Sequence, residues 1–248
     1  MKANVIVFEA AVFIFFVVFY QGARRALGKR RNWVFLLGAI LFSLAIETTM
    51  VLGGVKNFFW YAQNDYYKHY PLGGHIIWLG LVPLASLLLW YMVTAVSYLA
   101  ANAWIRKRGV WLKSAAAGGI ALVFYLIIEP IAVTNHWWTW NLKSFYLIDV
   151  PVIAWLGTFI AVFLFTAAYQ LTIMERADIA PLTAVENMTI KRWPVKSKKI
   201  TKNLGWVQLE AVYLFRLLAC FVVFCAAMAP LVAVFWSIAN RGQIPPGW

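Results

Sequence analysis

Charge is what this chain has least of. Only 12% of its 248 residues are Asp, Glu, Lys or Arg, against 63% hydrophobic, where a soluble domain carries about a quarter charged. Acid is scarcest, with nine Asp and Glu beside 22 Lys and Arg. Cysteine and histidine are almost missing. Cys220 and Cys225 lie five apart in one apolar stretch, so on a helix they face different ways and form neither a disulfide nor a metal pair. The three histidines, His69, His75 and His136, are scattered, without the one-face helical spacing of a metal motif, although imidazole with carboxylate suits Fe, Cu or Zn. None sits deep in an apolar stretch, as bis-His haem ligation between helices requires. No lysine falls within a helix core, which excludes a retinal-type Schiff base. No cofactor is expected.

What is there is long apolar sequence. Six stretches are long enough for a bilayer, which takes about 20 residues each: Val5–Tyr20, Trp33–Gly53, His75–Ala101, Ala115–Val133, Val150–Ile173 and Val207–Ala239. The expectation is an all-α, polytopic bundle of about six transmembrane helices, one membrane domain over residues 1–248. Helix 1 is expected to stay as a span, because no small-residue cleavage site precedes the Arg24 cluster. Between helices 1 and 2, 3 and 4, and 5 and 6 lie 16 of the 22 basic residues. The positive-inside rule makes that face cytoplasmic and puts both termini outside, in the plasma membrane. The net charge of +13 then reflects topology and attraction to anionic lipid rather than nucleic-acid binding. Residues 174–206 form a basic cytoplasmic loop, a connector on anionic headgroups or a docking surface for a partner.

Two carboxylates interrupt the apolar helices: Glu47 in LFSLAIETTMVLGG and Glu129 in ALVFYLIIEPIAV. Acids in hydrocarbon are expensive and mark function by default. Counted from the cytoplasmic ends at about 1.5 Å per residue, both lie roughly 21 Å up, and Glu9 reaches a comparable depth from outside. The outer loops, VKNFFWYAQNDYYKHYPLGGH and TNHWWTWNLKSFYLID, are dense in aromatics and hold Asp65 with all the histidines at or near them; Asp149 closes the second. Interfacial belts account for part of that density. A purely structural account, with each acid bonded to helix backbone or indole N–H, also stays open.

Glu47 followed by Gly53-Gly54 and the Tyr61–Tyr66 stretch, Val82-Pro83-Leu84-Ala85, Glu129-Pro130-Ile131-Ala132-Val133, Trp138-Thr139-Trp140, Tyr146, Val150-Pro151 and Trp155 follow one another in a fixed order. That series resembles the integral-membrane carotenoid biosynthesis protein family, whose hydratases act on bacterioruberin precursors and γ-carotene-type ends. The resemblance spans about residues 40–170. The family usually has Asp at Glu129, Gly at Asp149 and often Asn at Ala154.

The resemblance implies hydration of a terminal C=C of a C40–C50 carotenoid or other isoprenoid lipid. A positioned acid protonates the alkene and water captures the tertiary cation, with no redox cofactor. Glu129 or Glu47, kept protonated by burial, is the expected acid. Asp149 or Asp65 would take a proton from the incoming water. Tyr61, Tyr66, Trp138, Trp140, Tyr146 and Trp155 would surround the substrate, and aromatic faces stabilise a cation by about 0.5–2 kcal/mol each. The alternative is a non-catalytic integral subunit of a respiratory, photosynthetic or oxidase complex, holding carotenoid, quinone or lipid beside partner subunits. A transporter built from two Glu-bearing hairpins is disfavoured, since Glu47 to Pro83 is 36 residues and Glu129 to Pro151 is 22.

Overall fold

The computed structural model describes residues 3–53, 59–61, 75–105, 109–140 and 145–173. Five long helices run through them: α1 (Ala3–Leu27), α2 (Lys29–Gly53), α3 (Leu84–Trp104), α4 (Val110–Thr134) and α5 (Val152–Ile173). All five are long and apolar enough to cross a membrane. The sixth expected helix, Val207–Ala239, and the basic loop 174–206 lie outside the described residues, as do Cys220 and Cys225.

Two helices start later than expected, for a clear reason. The third helix begins at Leu84, not His75, because Pro83 lacks the N–H and sits in extended conformation at the cap (φ −62°, ψ 135°). Pro151 likewise precedes α5. Ahead of each proline the chain forms a two-residue ladder. Strands β2 (Trp78–Leu79) and β3 (Val82–Pro83) pair with each other, as do β5 (Tyr146–Leu147) and β6 (Val150–Pro151). A third ladder joins β1 (Phe59–Tyr61) to β4 (Trp138–Trp140). Among the described residues helices therefore dominate, with three small antiparallel ladders gathered at the end where α2 and α4 finish and α3 and α5 begin.

These ladders expose an internal repeat that the unequal spacing had hidden. Each unit runs acid-bearing helix, strand, hairpin closed by Val-Pro, helix. Pairing is the same in both hairpins: Trp78 with Pro83 and Leu79 with Val82, then Tyr146 with Pro151 and Leu147 with Val150. The first N–H of each following helix donates to the residue just before the hairpin, Leu84 to Ile77 (2.8 Å) and Val152 to Phe145 (3.1 Å). β1 of the first unit pairs antiparallel with its counterpart β4 of the second, as a local two-fold requires. The length difference falls mostly between β1 and β2, so it leaves the helices and hairpins in register.

Close packing follows from small residues. The buried stripe of α4 reads Val110, Ser114, Ala117, Gly118, Ala121, Tyr125, Glu129 and Ala132, a run of helical spacing in which small side chains let backbones approach. A Cβ at Gly118 would lie 2.8 Å from the Phe159 carbonyl oxygen of α5. The opposite face of α4 exposes Val123, Leu126, Ile127 and Ile131, and α1 exposes Val7, Ile14, Phe15 and Val18, surfaces suited to lipid. Gly28 turns α1 into α2 with φ +84°, its N–H closing on the Arg24 carbonyl, a left-handed cap that glycine adopts without a Cβ clash.

Candidate active site

Three acids are buried at the ladder-bearing end of the bundle: Glu9, Glu47 and Glu129, each 5% exposed or less. Each is held differently.

Glu129 sits one residue before Pro130, inside α4. The chain leaves α4 through Asn135 and His136, the latter at φ +56°, and doubles back as β4. That return brings two indoles onto the acid. Trp138 Nε1 donates to Glu129 Oε2 at 2.8 Å and Trp140 Nε1 to the same oxygen at 3.0 Å. Two donors occupy both lone pairs of Oε2, so a proton on this carboxyl belongs on Oε1. Oε1 makes no hydrogen bond among the described residues. Indole bonding of this kind satisfies a structural role for Oε2 and leaves the other oxygen available.

Glu47, on α2, faces the start of α3. The Ser86 hydroxyl is within donating reach of both its oxygens, at 3.1 and 3.0 Å. Tyr125 lies one turn before Glu129 on the same buried stripe, near enough to both carboxyls to interact with them electrostatically. Its hydroxyl makes no hydrogen bond among the described residues. Trp90 packs beside it with ring centroids 6.3 Å apart, and Phe42 packs on Trp90.

Glu9 belongs to a strap beside this centre. Its Oε1 lies 3.0 Å from His75 Nδ1, and the Ile76 N–H donates to both its oxygens at 3.0 and 3.2 Å. His75 Nε2 donates to the Trp137 carbonyl at 3.0 Å. Because that partner only accepts, Nε2 carries a proton. Burial pushes the His75 imidazole below its ordinary pKa, against the opposing pull of the Trp137 carbonyl and Glu9. Phe8 of α1 stacks on Trp137 at 4.0 Å. Glu9 and His75 thereby fix the residue just before Trp138.

The expected site residues separate into groups. Glu47, Glu129, Trp138 and Trp140 come together as described. Trp155 is buried at the start of α5, its Nε1 without a hydrogen-bond partner among the described residues. Tyr146 is half-buried in β5, and Tyr61 opposes Trp138 in the β1–β4 ladder. Asp149 is exposed on the β5–β6 turn, where both central residues are left-handed (Ile148 φ 51°, Asp149 φ 58°); turn geometry accounts for it there. Asp65, Tyr66 and His69 lie outside the described residues. His136 is exposed while His75 is buried on Glu9, and among the described residues no three His, Cys, Asp or Glu side chains converge as metal ligands. Sequence reasoning missed Ser86 and Tyr125. A signal existed for Tyr125, four residues before Glu129 and so on its face of the helix.

A family model described as carotenoid biosynthesis protein matches residues 1–241. The chain belongs to that carotenoid biosynthesis protein family. No curated protein and no solved structure matches it. Membership ties the chain to carotenoid biosynthesis, with an isoprenoid lipid as the expected substrate class.

Proposed function

We propose that the protein is a carotenoid end-group hydratase of the plasma membrane, adding water to the terminal C=C of a C40–C50 polyene. The observation that carries this reading is the Glu129 carboxyl, held through one oxygen by two indole N–H groups, with its other oxygen making no hydrogen bond among the described residues. A fixed acid with a defined proton-bearing oxygen is what alkene protonation needs. The tertiary cation that results is tolerated by aromatic faces, and Trp138, Trp140, Trp90 and Tyr125 supply them around the acid.

Orientation supports the same reading. Arg24, Arg25, Lys29, Arg30 and Arg31 lie around the α1–α2 turn, at the opposite end from the acids. With that basic end cytoplasmic, the acids sit toward the outer leaflet. A polyene about as long as the bilayer is thick would present its end group there, and the hydroxylated product would rest among headgroups. The test is expression in a carotenoid-producing host followed by pigment mass analysis. A gain of one water per modified end, lost in Glu129→Gln, supports the hydratase. Unchanged pigments from a well-expressed protein would sink it.

A further inference from the structure

Glu47 and Glu129 occupy corresponding helices of the internal repeat, and the Ser86 hydroxyl on Glu47 differs chemically from the indoles on Glu129. The hairpin register equates Pro83 with Pro151, and so Ser86 with Ala154, each three residues further on. Ser86 contacts Glu47. Ala154 has no polar side-chain atom, and indoles from β4 bond Glu129. Indole N–H only donates, whereas a hydroxyl donates and accepts. Glu129 is therefore tethered by groups that cannot carry a proton away or bring one in. Glu47 is tethered by a group that can accept a proton from water on one lone pair while passing its own to the carboxylate.

We propose that the two repeat-related carboxyls have divided the hydration between them: Glu129 is the acid, and Glu47, acting through Ser86, is the base that takes the proton from the attacking water. This rests on the hydratase reading and assigns roles within it. In the forward step the Glu129 Oε1–H bond breaks, its proton bonds to the less substituted alkene carbon, and the π electrons leave the tertiary carbon cationic. Water oxygen then bonds to that carbon. One water proton passes to Ser86 Oγ as the Ser86 proton passes to Glu47. The net change is one water added, Glu129 ionised and Glu47 protonated. Returning that proton to Glu129 closes the cycle, and Tyr125, buried one turn before Glu129 on the same stripe of α4, would carry it. Ser86 is a positioning and relay residue, not the base itself.

The division separates two observables. Protonation alone, followed by loss of a neighbouring proton back to the Glu129 carboxylate, regenerates an alkene that carries solvent hydrogen. Membranes holding the full chain are supplied with an acyclic C40 carotenoid in liposomes prepared in D2O, and products are read by mass. The wild type gives deuterated hydrate. Glu47→Gln is expected to lose hydration about 100-fold while deuterium still enters the unhydrated polyene. Glu129→Gln is expected to lose both. Ser86→Ala should slow hydration about tenfold with exchange retained, and Ser86→Thr should restore it; this pair keeps the test decisive if Glu47→Gln fails to accumulate. Loss of exchange in Glu47→Gln, normal hydration in that variant, or exchange surviving in Glu129→Gln would overturn the division while leaving the hydratase reading intact. A wild type that neither hydrates nor exchanges would instead sink the hydratase reading.

Discussion

Trp138 and Trp140 place both their indole N–H groups on a single oxygen of Glu129, at 2.8 and 3.0 Å. Strand alternation would send residues two apart to the same face, and β4 uses that spacing to bring two donors to one acid. The arrangement fixes the carboxyl's rotation and leaves Oε1 as the only oxygen able to carry a proton toward a ligand.

Removing either donor should therefore loosen the acid without removing it. Trp140→Phe is expected to lower hydration about three- to tenfold, the rate equivalent of one hydrogen bond of about 0.5–1.5 kcal/mol. Trp138→Phe should cost more, because Trp138 is the more buried of the two, and the double variant should lose more than either. Pigment conversion measured at matched protein level checks the order.

The α4–α5 contact gives a stability prediction independent of function. At Gly118 an added Cβ meets the Phe159 carbonyl at 2.8 Å, while at Gly119 it meets nothing within 4 Å. Gly118→Ala should destabilise the detergent-solubilised protein by about 1–3 kcal/mol, and Gly119→Ala should leave its thermal midpoint unchanged or slightly raised.

Ile148 is a β-branched residue at φ 51° in the β5–β6 turn, a conformation that glycine or asparagine takes at less strain. Ile148→Gly or Ile148→Asn should raise stability by about 1 kcal/mol, read as an upward shift in thermal midpoint.

The Glu9–His75 strap sets a pH dependence. His75 titrates lower in the folded protein than in the unfolded chain, chiefly through burial. The unfolded state therefore takes up a proton first as pH falls, and stability drops on acidification through the ordinary histidine range and just below it. Above that range the contribution is fully present. Thermal midpoints between pH 7.5 and 5.5 should fall in the wild type and fall less in His75→Gln, whose own midpoint is lower throughout.

Much of this was legible beforehand, and what was not has identifiable causes. Long apolar runs marked the helices; α3 and α5 begin later than those runs because Pro83 and Pro151 hold extended backbone, while α1, α2 and α4 run on past them into flanking polar and basic residues. Glu47 and Glu129 stood out because an acid in hydrocarbon has few explanations. Ser86 did not, since a serine in an apolar helix ordinarily bonds to its own backbone, as Ser43 does to the Ala39 carbonyl. Glu9 drew notice for depth, but its bond to His75 spans 66 residues, and no local pattern encodes such a pairing. The repeat was obscured by comparing spacings across whole units, when the extra length lay in one connection. Asp149 drew notice for its charge, although its place in the turn follows from backbone geometry.

The central claim is hydration by water at an end group that Glu129 protonates, and the origin of the new oxygen tests it most directly. Membranes carrying the wild-type chain, given an acyclic carotenoid in water enriched in heavy oxygen, should yield a product heavier by one labelled water, under air or without it. Label missing from the product, or an oxygen drawn from O2, would contradict the account.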